Sequence, residues 1–217
     1  MKRRSALKYM GTAFGYAVAT PTVIGILNSC KDKPPYAEWA PTFFSKEQGY
    51  ALAQMVDVIL PKTDTPSATE MNVHVFIDEY YKAVFTEEEQ AFSKMVTEKF
   101  MAKLLESSGK ESLLDVEGAD FEPLFETYLA EIPDEVEEAH EEAIEAYFEA
   151  LEKGETAELD EEIALRNFAN GTRGMAIWSY KTSEYVGEEV LAYLPIPGEY
   201  IGCGDVNELS QGMAWSL

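Results

Sequence analysis

Cysteine and histidine are almost missing from this 217-residue chain, which holds two of each: Cys30, Cys203, His74 and His140. Cys203 has no neighbouring ligands, so it cannot build a Cys/His metal site, and no cysteine pair for haem attachment occurs. Basic residues are scarce too, 17 against 40 acidic ones; four of the 17 lie in the first 29 residues, where no acid occurs. The remainder carries a formal charge near −27, a surface that repels phosphate backbones and anionic headgroups. Nucleic acid is therefore excluded as a partner. There is no Gly-x-Gly-x-x-Gly, phosphate loop or nucleophile elbow. No repeat period is present and β signals are few. Paired carboxylates are abundant only because acids are abundant, and most sit in helical stretches with solvated faces.

What is present begins with a leader. Lys2, Arg3 and Arg4 form a cationic start, followed by an apolar stretch over 9–27 that is diluted with Gly, Thr and Pro. This is the order of a signal peptide. Arg3-Arg4-Ser5-Ala6-Leu7-Lys8 resembles the twin-arginine export motif in its paired arginines, Leu7 and Lys8, with Ala6 where Phe is commonest. That route carries proteins already folded. Leu27-Asn28-Ser29-Cys30 resembles a bacterial lipobox, in which the Cys30 thiol takes a diacylglycerol thioether and becomes the first residue. Each buried CH₂ of such an anchor contributes about 0.8 kcal/mol. The Gly, Thr and Pro content of 9–27 argues against a stable membrane helix. The expected organisation is a signal peptide over 1–29, a tether over 30–44 and one helical domain over 45–217, lipid-anchored on the periplasmic side of a bacterial membrane.

The domain reads as mostly α, an irregular helical bundle with a long Gly/Pro-rich C-terminal coil. Ser45 and Gln48 form a capping box before an apolar run that Pro61 stops. A second helix is expected over 73–85. Thr86 and Glu89 form another capping box, opening a helix that ends at Gly109. Residues 118–153 read as one or two acidic helices broken at Pro133, the stretch 135–151 being the most charged. Asp160 can cap a last helix through Phe168, Ile177, Trp178 and Tyr180, with Gly171 and Gly174 weakening its middle. From about 186 to 217 the chain is rich in Gly and Pro yet carries Tyr193, Ile196, Tyr200, Ile201 and Trp215. A tail of that length without secondary structure either wraps its own domain or packs on a partner.

Catalytic candidates are thin. Glu137 and His140 form a Glu-x-x-His pair that puts both groups on one helix face, but a di-iron carboxylate site needs a second such pair, and Glu70 stands four residues before His74, not three. His74 reads as a helix-start or core residue, and His140 as a solvated one. In an oxidising compartment Cys203 is left to bond another chain or remain a thiol. No catalytic, cofactor-binding or metal-ligating residue is expected in this chain.

At Ile59-Leu60-Pro61-Lys62-Thr63-Asp64-Thr65-Pro66-Ser67-Ala68 the chain resembles the gluconate 2-dehydrogenase subunit 3 family. Those proteins carry an Ile-Pro-Arg/Lys-Thr-Asp-Thr-Pro-Gly-Ala loop; Ser67 here stands at the usual Gly. Pro197-Gly198-Glu199-Tyr200-Ile201-Gly202-Cys203 is similar to the family's closing segment, and Gly212-Met213-Ala214-Trp215 to its aromatic end. The acidic middle, 118–159, matches least. The resemblance implies a small accessory subunit beside a large flavin-dependent dehydrogenase of the glucose–methanol–choline type. That partner would hold the FAD, oxidise a sugar, sugar acid or alcohol, and pass electrons on, often through a cytochrome c subunit. Contacts with it are expected at Pro61, Thr63, Asp64, Pro66, Pro197, Gly198, Tyr200, Cys203 and Trp215. The competing expectation is a free-standing helical envelope lipoprotein that binds a ligand or acts as a scaffold.

Overall fold

A computed structural model describes residues 39–216 apart from Pro195, Pro197 and Tyr200. The leader residues Arg3, Arg4, Leu7 and Lys8, the lipidation candidate Cys30, and Pro197 and Tyr200 of the expected contact set lie outside the described residues.

The chain is mostly α-helical. α1 (Lys46–Ile59) starts from the Ser45/Gln48 capping box, whose two reciprocal bonds measure 3.2 and 3.0 Å. α2 (Val73–Ala83) follows the 61–68 loop. α3 (Glu87–Ser108) starts from the Thr86/Glu89 box and ends at Gly109, whose φ of 68° is a left-handed cap open to glycine at little cost. Two 3₁₀ turns, Leu113–Asp115 and Gly118–Phe121, lead into the short α4 (Glu122–Tyr128). α5 (Asp134–Glu152) begins directly after Pro133. α6 (Glu161–Lys181) begins at Asp160, whose carboxylate accepts from the Glu162 and Ile163 amides. It runs unbroken through Gly171 and Gly174. Each glycine costs a helix interior roughly 1 kcal/mol relative to Ala, and the buried face built by Leu165, Phe168, Thr172, Ala176 and Tyr180 outweighs that.

Among the described residues two apolar clusters form the interior, and α1 and α6 serve both. Ala51 and Met55 of α1 join Phe100 and Leu104 of α3, Phe121, and Leu165 and Phe168 of α6 in the first. Leu52 and Val56 of α1 join Val73, Ile77 and Tyr81 of α2 and Ala176 and Tyr180 of α6 in the second. α5 lies outside both: it has no buried residue, and only a stripe including Ile144, Tyr147 and Phe148 rests on the first cluster.

The C-terminal segment differs from the expected coil. It opens with a π-helical turn (Val186–Val190) and later forms a short helix, α7 (Val206–Ser210), capped by the Asp205 carboxylate. Ala192 and Trp215 form a parallel bridge, in which the Ala192 amide donates to the Ala214 carbonyl at 2.8 Å and the Ser216 amide to the Ala192 carbonyl at 2.9 Å. Glycine and proline prevent long elements here but leave room for one capped turn and a pair of cross-chain bonds, which tie the segment into a closed loop.

Candidate partner-binding surface

The domain's first described residues are fastened down rather than trailing. Asp78 of α2 is wholly buried, and its carboxylate accepts from the Thr42 amide at 2.6 Å, the Thr42 hydroxyl at 2.9 Å, the Phe43 amide at 2.9 Å and the Phe44 amide at 3.0 Å. Four donors satisfy a charge that burial would otherwise make costly. Upstream, Trp39 meets the His74 ring edge-on at 4.8 Å. A Cβ at Gly49 would lie 2.5 Å from Pro41 Cγ and 2.9 Å from Trp39, so only glycine admits this close crossing. His74 is buried, and burial lowers its pKa to about 4 against the upward pull of the Asp57 and Asp78 carboxylates.

The loop containing Pro61, Thr63, Asp64 and Pro66 is closed by an Ala68 amide to Leu60 carbonyl bond of 3.0 Å. Its base is held from within: the Thr69 amide and hydroxyl donate to Asp57 at 2.8 and 2.6 Å, and the Tyr180 hydroxyl donates to the Pro66 carbonyl at 2.7 Å. Lys62 pairs with Glu70, which also accepts from the Ser67 amide; the two hold the Glu70 carboxyl below its usual range. Ser67 and Ala68 are buried, while Pro61, Thr63 and Asp64 stay exposed at the tip. Ser67 therefore serves as a buried hydrogen-bonding residue, its hydroxyl meeting that of Thr69 at 3.2 Å.

The C-terminal segment leaves the same end of α6. Cys203 is an exposed thiol, Gly198 is exposed, and Trp215 is exposed despite its backbone bridge. Gly187 sits against the Ser216 hydroxyl, so the end of the segment returns to the π turn that follows α6. Tyr180 thus anchors the loop about one helical turn from where the tail departs, and the two expected contact regions share one end of the helix. Tyr193, Leu194, Ile196, Ile201 and Val206 are all exposed along the tail.

A third feature has no counterpart among the residues expected from sequence. Phe76 and Tyr80 of α2 stack with ring centroids 5.7 Å apart, and Trp178 of α6 meets them edge-on at 5.3 and 5.7 Å. Tyr80 in turn meets Phe85 at 5.8 Å. Phe76, Ile177 and Trp178 keep 37, 40 and 43% of their surface exposed, although helical spacing alone assigns them to the buried stripes. The sequence does hold a signal for this: after Glu162 no acid occurs until Glu184, in a chain with 40 of them.

Between α5 and α6 lies a polar cleft of about 640 Å³, lined by Glu137, His140, Glu141, Arg166, Asn170 and Arg173 among others. Its arginines are engaged: Arg166 pairs with Glu162 and donates to the Ala130 carbonyl at 3.2 Å, and Arg173 donates to Asn170 at 2.8 Å. Glu137 and His140 face this cleft, but among the described residues no group of three or more His, Cys, Asp or Glu side chains could hold a metal ion. Among the same residues no helix is long and apolar enough to cross a membrane.

In class this is a mostly α-helical domain that leaves aromatic and aliphatic groups uncovered on α2, on α6 and along the C-terminal segment. The chain belongs to the gluconate 2-dehydrogenase subunit 3 family, whose model matches residues 46–198. It is accordingly a subunit of a gluconate 2-dehydrogenase-like complex and associates with a dehydrogenase catalytic subunit. No curated protein and no solved structure matches it.

Proposed function

We propose that this chain is the non-catalytic accessory subunit that exports, stabilises and membrane-tethers a glucose–methanol–choline-type flavoprotein. The partner holds the FAD and oxidises a sugar, sugar acid or alcohol, with a cytochrome c subunit taking the electrons onward. The paired Arg3 and Arg4 direct export of the folded pair, and Cys30 moors it by a lipid anchor on the periplasmic side.

The observation that carries this reading is the tail. Tyr193, Leu194, Ile196, Ile201 and Trp215 are exposed while the Ala192–Trp215 bridge holds the segment in place. An exposed apolar patch on an ordered frame marks a contact surface for another protein, and the expected contacts Cys203 and Gly198 lie on the same segment. The family supports a dehydrogenase as that protein. Co-expression of the full chain with the dehydrogenase subunit tests the reading: co-purification as a stable pair, with export lost in Arg3→Lys/Arg4→Lys, is expected. Recovery of this chain alone, with the flavoprotein exported normally without it, would overturn the reading.

A further inference from the structure

We propose that the aromatic face of α2 and α6, built on Phe76, Tyr80, Ile177 and Trp178, is the principal docking surface for the dehydrogenase catalytic subunit, and that the C-terminal tail extends this surface. The inference rests on the accessory-subunit reading and names the part of the molecule that performs it.

Three observations lead there. First, the face is apolar where the molecule as a whole is not. From residue 163 to 183 there is no carboxylate, while Arg166, Arg173 and Lys181 are the only charges. The exposed aromatics therefore sit on a strip of α6 without carboxylates, where Arg173 and Lys181, one turn either side of Ile177, and Glu79 beside Tyr80 are the charges that must stay wet or be paired when water leaves. Second, the rings are pre-arranged: Phe76, Tyr80 and Trp178 hold one another at 5.3–5.7 Å. Aromatic anchors that lose little side-chain freedom on binding are the residues that dominate interface energies. Third, the face adjoins the tail. Trp178 lies in the last turn of α6, Tyr185 just beyond it is 43% exposed, and the tail leaves from the π turn that follows.

The rim specifies the occupant's chemistry. Glu79, Glu184, Glu188 and Glu189 are exposed around or beyond the patch. Lys82, Arg173 and Lys181 also border it, so the complementary surface is an apolar centre with Lys or Arg opposite the glutamates and carboxylates opposite these three, and added salt should slow association more than it speeds dissociation. α5, with its solvated carboxylates and no buried residue, offers no comparable apolar centre and is left outside the contact.

The test is made on the co-expressed complex. Ile177→Arg and Trp178→Ala each alter a half-buried side chain, so the free chain should keep its helical signal and its melting temperature within a few degrees. Each is expected to weaken pairing at least tenfold. Glu138→Lys/Glu142→Lys on α5 should pair as the unmodified chain does. Hydroxyl-radical labelling of the unmodified complex should protect Phe76 and Trp178 relative to the free chain. If the unmodified chain pairs but both single variants pair equally well, or Phe76 and Trp178 label as fast in the complex as alone, the docking face is wrong while the accessory role stands. If the unmodified chain does not pair at all, the accessory role itself fails.

Discussion

α5 and α6 have similar lengths, 19 and 21 residues, and opposite constitutions. α5 carries nine acids, no lysine or arginine and no buried residue; α6 buries eight residues and contains no acid after its first turn. Charge density alone separates an outer helix, held by one stripe, from a central one that joins both apolar clusters. Carboxylates are absent from the inner face of α6 because burial would strand them. Their absence from its outer face, where water would accept them, is the part that folding does not explain and docking does.

The comparison breaks most readily at Phe168, which is 3% exposed on α6 and meets the Phe100 ring at 4.8 Å. Phe168→Ala is expected to cost about 3–5 kcal/mol, with the cavity between α3 and α6 adding to the lost transfer energy. Phe148 on α5 meets Phe92 at a similar 4.9 Å but is only partly buried, and Phe148→Ala should cost less than half as much. Urea titration of both variants measures the difference; equal costs would mean that α5 is as central as α6.

Next in size is Asp78. It has the same carboxylate chemistry that α5 displays nine times, placed where water cannot reach. Asp78→Ala leaves the Thr42, Phe43 and Phe44 amides without their acceptor, an expected loss of about 3 kcal/mol. Amide exchange at those three positions should quicken in step. Unchanged protection there would show that the residues before α1 are held by Trp39 and Pro41 alone.

A third contrast lies in pH. His74 is buried, with its pKa lowered to about 4, whereas an unfolded chain takes up the same proton near pH 6.5. Between those values the unfolded chain binds more protons, so stability rises with pH from 4 to 6.5 and falls on acidification. A tenfold difference in proton affinity between the two states is worth about 1.36 kcal/mol, so His74 contributes up to about 3 kcal/mol across this range. Melting of the unmodified chain and of His74→Gln over the same pH values isolates that share from the contribution of the many carboxylates. Parallel slopes would refute it.

How much of this could be read from sequence follows from the range of each interaction. The Ser45/Gln48 and Thr86/Glu89 boxes, the stop at Pro61, the Gly109 cap and the Asp160 start are signalled within four residues, and each element begins or ends where its signal stands. The fastening by Asp78 spans 34 to 36 residues, and the Ala192–Trp215 bridge joins two ends of a Gly/Pro-rich stretch. No local pattern announces either. Helical spacing identifies Phe76, Ile177 and Trp178 as a stripe with their neighbours, but spacing cannot say which end of a stripe the rest of the fold leaves uncovered. The missing acids could have said so, since a chain this acidic must otherwise solvate every face it exposes.

The smallest expected effect sharpens the comparison from the other side. Glu138 and Glu142 are exposed on α5, one turn apart, among like charges. Like-charged neighbours at i,i+4 oppose the helix by roughly 0.2–0.5 kcal/mol per pair. Glu142→Gln should therefore stabilise the domain by no more than about 0.5 kcal/mol, and added salt at molar concentration should erase the gain by screening the repulsion. A loss of stability instead would mean that the carboxylate has a partner in the fold and that α5 is not the solvated helix its lack of buried residues describes. A gain that survives high salt would point to helix propensity rather than charge. Only a small, salt-sensitive gain fits a helix whose acids serve the solvent alone, leaving the outer face of α6, free of carboxylates after its first turn, as the surface that needs a protein to cover it.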